Sequence, residues 1–267
     1  MVLLATVIYG SSIRAQERWF QIEISIFSNE VLSGRMGEEW EPDKTELDYP
    51  ENLRRLALLS DLFLAKPVPG NIEIPLEELE QNSLKEALKN IGPKAKANQS
   101  DFKLFDFARE AYVQLPMNES DFQQTNQALQ RSSDHRLLFH GLWRQAVTQK
   151  SSATPILIEG GLSYGNKHEL LGSITIRFNQ NEDRVVIDTN LWLTEFSIIQ
   201  NTEENWSLPE IPQHLNHKDI EPTNTLNYFP NKVYHMNQSR DMRSMEFHYL
   251  DHPSLGLVIL VKPYDIP

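Results

Sequence analysis

Leu255 to Val261 reads Leu-Gly-Leu-Val-Ile-Leu-Val, an unbroken apolar run that is partly β-branched. Such a run is a strand covered on both faces, so the rest of the chain has to supply that cover. Just upstream, Met245, Phe247 and Tyr249 alternate with Ser244, Glu246 and His248, the period of a half-buried strand. Asp251-His252-Pro253-Ser254 between the two is turn chemistry, because Asp bonds nearby backbone N–H groups and Pro fixes φ. The spacing predicts a terminal hairpin, Met242 to Val261, holding the last two strands of the main sheet.

Earlier segments follow the same logic. Arg18 to Ser28 is a first strand with Phe20, Ile22, Ile24 and Ile26 on one face and Gln21, Glu23 and Ser25 on the other. Glu30 to Asp48, broken by Gly34, Gly37 and Pro42, is a loop from which Trp40 docks. Helical spacing then takes over. One helix is predicted over Glu51 to Ala65 and a second over Leu76 to Ile91, the latter acidic at its start and basic at its end, as the helix dipole favours. Phe102, Phe105 and Phe107 suggest a docked segment, and Asp121 is placed to cap a third helix reaching about Ser133. From Arg136 the pattern turns to β: strands over Arg136 to Thr148, Ile156 to Ile158, Leu170 to Phe178 and Arg184 to Ser197. Gly160-Gly161 and Tyr164-Gly165 read as a turn region, and the four strands as an antiparallel meander. Trp206 to Pro230, with four prolines, is a long excursion before the hairpin. The expected class is α+β: a mostly antiparallel sheet with a helical insertion, about residues 50 to 135, between the first strand and the later ones.

Charge and residue usage narrow the function. With 37 acidic against 25 basic residues, a formal charge of −12, the chain is a poor partner for nucleic acid. The absence of cysteine excludes disulfides, thiol catalysis and lipid attachment through an N-terminal Cys. Val2 to Tyr9 is a short apolar run followed by small and polar residues, with Ala15 before Gln16. That is the shape of a secretory signal cleaved near Ala15, although no Lys or Arg precedes the run. An ordinary N-terminal strand is the competing reading. No stretch approaches the ~20 apolar residues that span a bilayer. The expectation is export of a single domain, residues 16 to 267, to the periplasm.

No catalytic or cofactor motif stands out. His214-x-x-His217 and His248-x-x-x-His252 lack the further ligands and the helical setting that a metal site needs, and HExxH is absent. GxSxG, GxGxxG and a phosphate-binding loop are absent as well. Glu23, Asp188, Glu195, Glu246 and Asp251 lie on or beside strands and could supply the carboxylate pair of a glycan-cleaving enzyme, which would need one raised pKa.

MRSMEFHYLDHPSLGLVILVKP, together with RLLFHGLWRQAV, PILIEGG and IDTNLWLTEF in that order and the opening RWFQIEISIF, resembles the CsiV family of periplasmic peptidoglycan-binding proteins of Gram-negative bacteria. The matching blocks cover about half of the chain. The resemblance implies a non-enzymatic protein that binds peptidoglycan. It further implies support of cell-wall synthesis through a class A penicillin-binding protein and its outer-membrane lipoprotein activator. No cofactor, metal or catalytic residue is implied. A scaffold that touches only proteins is the alternative.

A glycan site can then be sought by face. In the strand Arg184 to Ser197, Val185, Ile187, Leu191 and Leu193 point to the core, while Asp188, Asn190 and Trp192 share the opposite face. The hairpin partner adds Arg177, and Trp143 could add a second aromatic platform. An aromatic ring packs on the C–H side of a pyranose while Asp, Asn and Arg bond its polar groups. In the competing reading the helices cover this face, leaving Trp192 a core residue bonded through its indole N–H.

Overall fold

The computed structural model describes residues 18–31, 40–58, 108–200, 206–215 and 227–267. Among the described residues eight strands run in chain order: β1 (Trp19–Asn29), β2 (His135–Ala146), β3 (Pro155–Tyr164), β4 (Lys167–Phe178), β5 (Val185–Ser197), β6 (Phe229–Met242), β7 (Phe247–Asp251) and β8 (Leu255–Tyr264). They form two four-stranded sheets, sheet A in the order β2-β1-β8-β7 and sheet B in the order β3-β4-β5-β6. All pairs between these strands are antiparallel. Among the described residues the α-helix is short, α1 (Gln123–Arg131). The described residues are therefore mostly antiparallel sheet.

One core fills the space between the sheets. β1 gives it Phe20, Ile22, Ile24 and Ile26, and β8 gives it Leu255, Leu257, Ile259 and Val261 from the opposite register positions. Sheet B answers with Ile156, Ile158, Ile174, Ile176, Ile187 and Leu191. Each such side chain, fully buried, is worth about 1.5–3 kcal/mol. The apolar run at β8 is paired along both edges, by β1 and β7, because it lies inside sheet A. Its core-side residues Leu257, Ile259 and Val261 are buried against sheet B. Gly256 in that run lets the ring of Phe27 lie against the strand; a Cβ there would sit 2.3 Å from the ring.

The two sheets are closed differently along their two seams. On one side the backbone closes it. Tyr112 and Leu115 donate N–H groups to Arg144 and Leu142 of β2. Ala57 bonds Tyr112 and Gln114, and Arg54 bonds Pro155 and Leu157 of β3. On the other side, where β6 turns into β7, side chains do the work. Gln238 and Arg240 of β6 donate to the carbonyls of Asp251 and Tyr249, each at 3.0 Å.

Several sequence expectations change. The stretch predicted as helix from Glu51 is a turn and isolated bridges over residues 51–58, since its backbone is needed to stitch β3 to residues 112–114. Residues 59–65, the predicted helix Leu76 to Ile91, the three Phe of 102–107 and the proposed signal segment lie outside the described residues. α1 forms where the third helix was expected, but Asp121 does not cap it: its carboxylate pairs with Lys262 of β8. β2 leaves the expected meander and pairs with β1 in sheet A. β6 occupies much of what was read as the end of the Pro-rich excursion and the approach to the hairpin; its polar ends conceal a strand whose buried middle is Val233 to Met236. Gly160 and Gly161 are not a turn but a bulge within β3, where Gly161 at φ 73° passes the Glu169 carboxylate too closely for any Cβ. The turn proper comes at Gly165-Asn166.

Candidate functional site

β5 does place Trp192 on the outer face of sheet B, away from the main core. That face is covered. Trp192 is 0 % exposed, packed with Leu171, Val233 and Trp206, beneath Leu47, Tyr49, Leu208 and Ile211 from the two loops that cross it. Among the described residues loops supply the cover. The Tyr49 ring lies 5.1 Å from the indole. Trp40 docks as expected, against His235 and His252 with ring separations of 5.9 and 6.4 Å. Neither face of Trp192 is open to a sugar, and its Nε1 has no hydrogen-bond partner among the described residues, contrary to the indole bond anticipated for a core Trp192.

The other predicted residues separate. Arg177 and Asp188 come together in a two-pronged pair, Nε to Oδ2 at 2.5 Å and Nη2 to Oδ1 at 3.0 Å, and Ser239 Oγ donates to the same carboxylate at 2.6 Å. Burial pushes the Asp188 carboxyl up, but Arg177 and Ser239 outweigh it and hold it below its usual range. Asn190, two residues along, donates to the Asp48 carbonyl at 3.0 Å, and its Oδ1 lies 2.7 Å from His235 Nε2. Asn190 thus ties the loop to the sheet. Trp143 lies in the core between the sheets at 0 % exposure, its indole donating to Gln145 Oε1 at 2.8 Å, so it adds no platform.

Sheet A has a polar group of its own. Glu23 of β1 points to the outer face yet is buried, receiving Ser120 Oγ at 2.5 Å, the Asp121 N–H at 2.8 Å and the Phe122 N–H at 3.3 Å, with His140 Nε2 at 2.8 Å. Burial raises its carboxyl, and those bonds overcome the rise and leave it below the ordinary value. Ser, Glu and His meet here, but the carboxylate stands between the other two. A nucleophilic serine needs the histidine as its immediate partner. The cluster is a clamp that fixes the 117–122 turn, and with it α1, onto sheet A.

The remaining carboxylates of the hypothetical glycan-cleaving pair are occupied too. Glu195 accepts from Tyr234 OH at 3.0 Å, and Asp251 from Tyr249 OH at 2.7 Å. Glu246 lies 3.9 Å from Arg243. Glu23 and Asp188 are both held low, whereas a general acid needs a raised pKa. His214 contacts the Leu53 carbonyl and His248 contacts Arg243, while His217 lies outside the described residues. Among the described residues no three His, Asp or Glu are placed to share a metal ion, and no helix is long and apolar enough to cross a membrane.

β7 turns its larger apolar side chains outward. Met245, Phe247 and Tyr249 are 65, 62 and 46 % exposed, and Leu250 is the side chain that enters the core. A signal was present. The short Pro253-Ser254 turn pairs Leu250 with Leu257, and Leu257 faces the core, so the even residues of β7 must follow. Tyr249 lies parallel to Phe27, planes 4° apart and centroids 6.1 Å apart; Phe247 leans on Phe122 at 5.6 Å. Burial and the bond to Asp251 push the Tyr249 phenol up to about 12.

The family model described as "Peptidoglycan-binding protein, CsiV" matches residues 1–264. The chain belongs to the CsiV family. The match takes in both sheets and every strand described above. CsiV is described as a binding family and not as an enzyme family. No curated protein and no solved structure matches this CsiV-family chain.

Proposed function

We propose that the chain is a non-enzymatic peptidoglycan-binding protein of the periplasm. In this reading it supports cell-wall synthesis through a class A penicillin-binding protein and its outer-membrane lipoprotein activator. The observation that carries the binding role is the family match over residues 1–264. The non-enzymatic character is supported by the engagement of Glu23, Asp188, Glu195 and Asp251 in hydrogen bonds or ion pairs. The periplasmic address rests on the apolar segment Val2 to Tyr9 with Ala15 before Gln16, which leaves residues 16 to 267 as a single exported domain.

Purified sacculi test the binding role. The protein is expected to sediment with them and to be released by free muropeptides. Failure to sediment, with capture of the lipoprotein activator retained, replaces glycan binding by a purely protein scaffold. Mass spectrometry of the fractionated protein tests the address: loss of roughly the first fifteen residues is expected, and an intact Met1 in the cytosolic fraction contradicts it.

A further inference from the structure

We infer that the glycan strand of peptidoglycan docks on the exposed aromatic strip of β7, with Tyr249 and Phe247 as stacking platforms and Asp251 and Arg240 as its polar flank. The inference rests on the peptidoglycan-binding reading and names the site that carries it.

The strip is built, and not merely uncovered. Phe247 and Tyr249 stand two residues apart on one face of a strand, about 6.7 Å along it. Each packs against a buried ring, Tyr249 against Phe27 and Phe247 against Phe122. Rings held by such a neighbour lose little further freedom when a ligand stacks on them, which lowers the entropic cost of binding. Their outer surfaces remain in solvent. Alternating N-acetylated sugars present a C–H face and acetamido methyls to such rings. Their hydroxyl and acetamide N–H groups need acceptors, and the exposed Asp251, oriented by the Tyr249 hydroxyl at 2.7 Å, supplies one. Arg240 lies along the strand edge, its Nη1 3.0 Å from the Tyr249 carbonyl. In a chain of net charge −12 it is a cation placed beside the strip, suited to the carboxylates of the stem peptides.

The same arrangement argues against a protein strand as the occupant. An edge strand normally recruits another strand through its outward N–H and C=O groups. On β7 the Tyr249 and Asp251 carbonyls are already taken by Arg240 and Gln238. That removes half of the ladder a protein strand would use and favours side-chain stacking as the mode of recognition.

The test uses the full chain and the double variant Phe247→Ala/Tyr249→Ala, with sacculus binding, melting temperature and sedimentation velocity measured on both. Wild-type binding and at least tenfold weaker binding by the variant, with melting shifted by no more than a few degrees, is the expected result. Tyr249→Phe, which keeps the ring, should retain most of the binding. A variant that binds sacculi like the wild type overturns the site while leaving the peptidoglycan reading intact. A wild-type protein that leaves sacculi unbound overturns both. A wild-type dimer dissolved by the double variant also overturns the site, since the strip is then an interface between copies.

Discussion

Trp192 and Tyr249 each stand on an outer face of the same sandwich, one on sheet B and one on sheet A, and only Tyr249 reaches solvent. Around Trp192 the loops 40–49 and 206–211 lay Leu47, Tyr49, Leu208 and Ile211 over the sheet. Sheet A receives cover too, from α1 and the 117–122 turn, which Glu23 and Ser25 of β1 anchor and which reaches Lys262 of β8 and one side of Phe247. Among the described residues nothing buries Tyr249 and Phe247 of β7, which keep much of their surface in solvent. Aromatic content does not distinguish a core face from a binding face. What distinguishes them is whether another segment of the chain is tied down across the ring.

The sharpest way to break the contrast is Trp192→Ala. Truncating a fully buried indole should cost about 3–5 kcal/mol, read as a large fall in the denaturation midpoint. A loss below about 1 kcal/mol would mean that the loops do not pack on sheet B as described. Next comes the covered half of sheet A. Glu23→Ala strands the Ser120 hydroxyl, the Asp121 N–H and His140, while the Phe122 N–H keeps Ser120 Oγ; at 1–3 kcal/mol for an unsatisfied buried group a loss of about 3 kcal/mol is expected in chemical denaturation. Unchanged stability would show that the 117–122 turn is held by something else.

A pH scan probes the loop over sheet B. Burial and the nearby His252 lower the pKa of His235, opposed by Asp48. The unfolded chain, with the histidine at its ordinary 6.5, therefore takes up the proton first as pH falls. Stability should drop on acidifying below 6.5, and His235→Gln should flatten that part of the curve. An identical slope in the variant removes His235 from the account. The smallest effect belongs to β7. Phe247→Ala or Tyr249→Ala should each cost about 1 kcal/mol or less, the worth of a partly exposed ring contact. A cost comparable with that of Trp192→Ala would erase the difference between the two faces.

How far the sequence reveals this contrast depends on the residue. Alternation correctly put Trp192 opposite Val185, Ile187, Leu191 and Leu193, because a strand's period is independent of what lies above it. The cover was another matter. Trp206, Leu208 and Ile211 sit among prolines with no period of their own, so their apolar character was visible and their destination was not. In β7 the alternation is legible but which set faces the core is not; register decides it, since Leu250 is locked opposite Leu257. β6 escaped notice because its edge position tolerates polar residues outside its buried middle. The peptidoglycan-binding family was legible in blocks of sequence, but no block pointed to a ring in solvent.

β1 and β8, the first and last of the described strands, are the two middle strands of sheet A, with Trp19 opposite Tyr264. Their pairing closes residues 19–264 into one loop. It belongs among the contacts of greatest sequence separation, which fold slowly because chain entropy is lost before any contact repays it. A growing chain can assemble the β3-β4-β5 hairpins as soon as they are made. Sheet A has to wait for β8, and until it is made Ile22, Ile24 and Ile26 have β2 on one flank and lack their partner on the other.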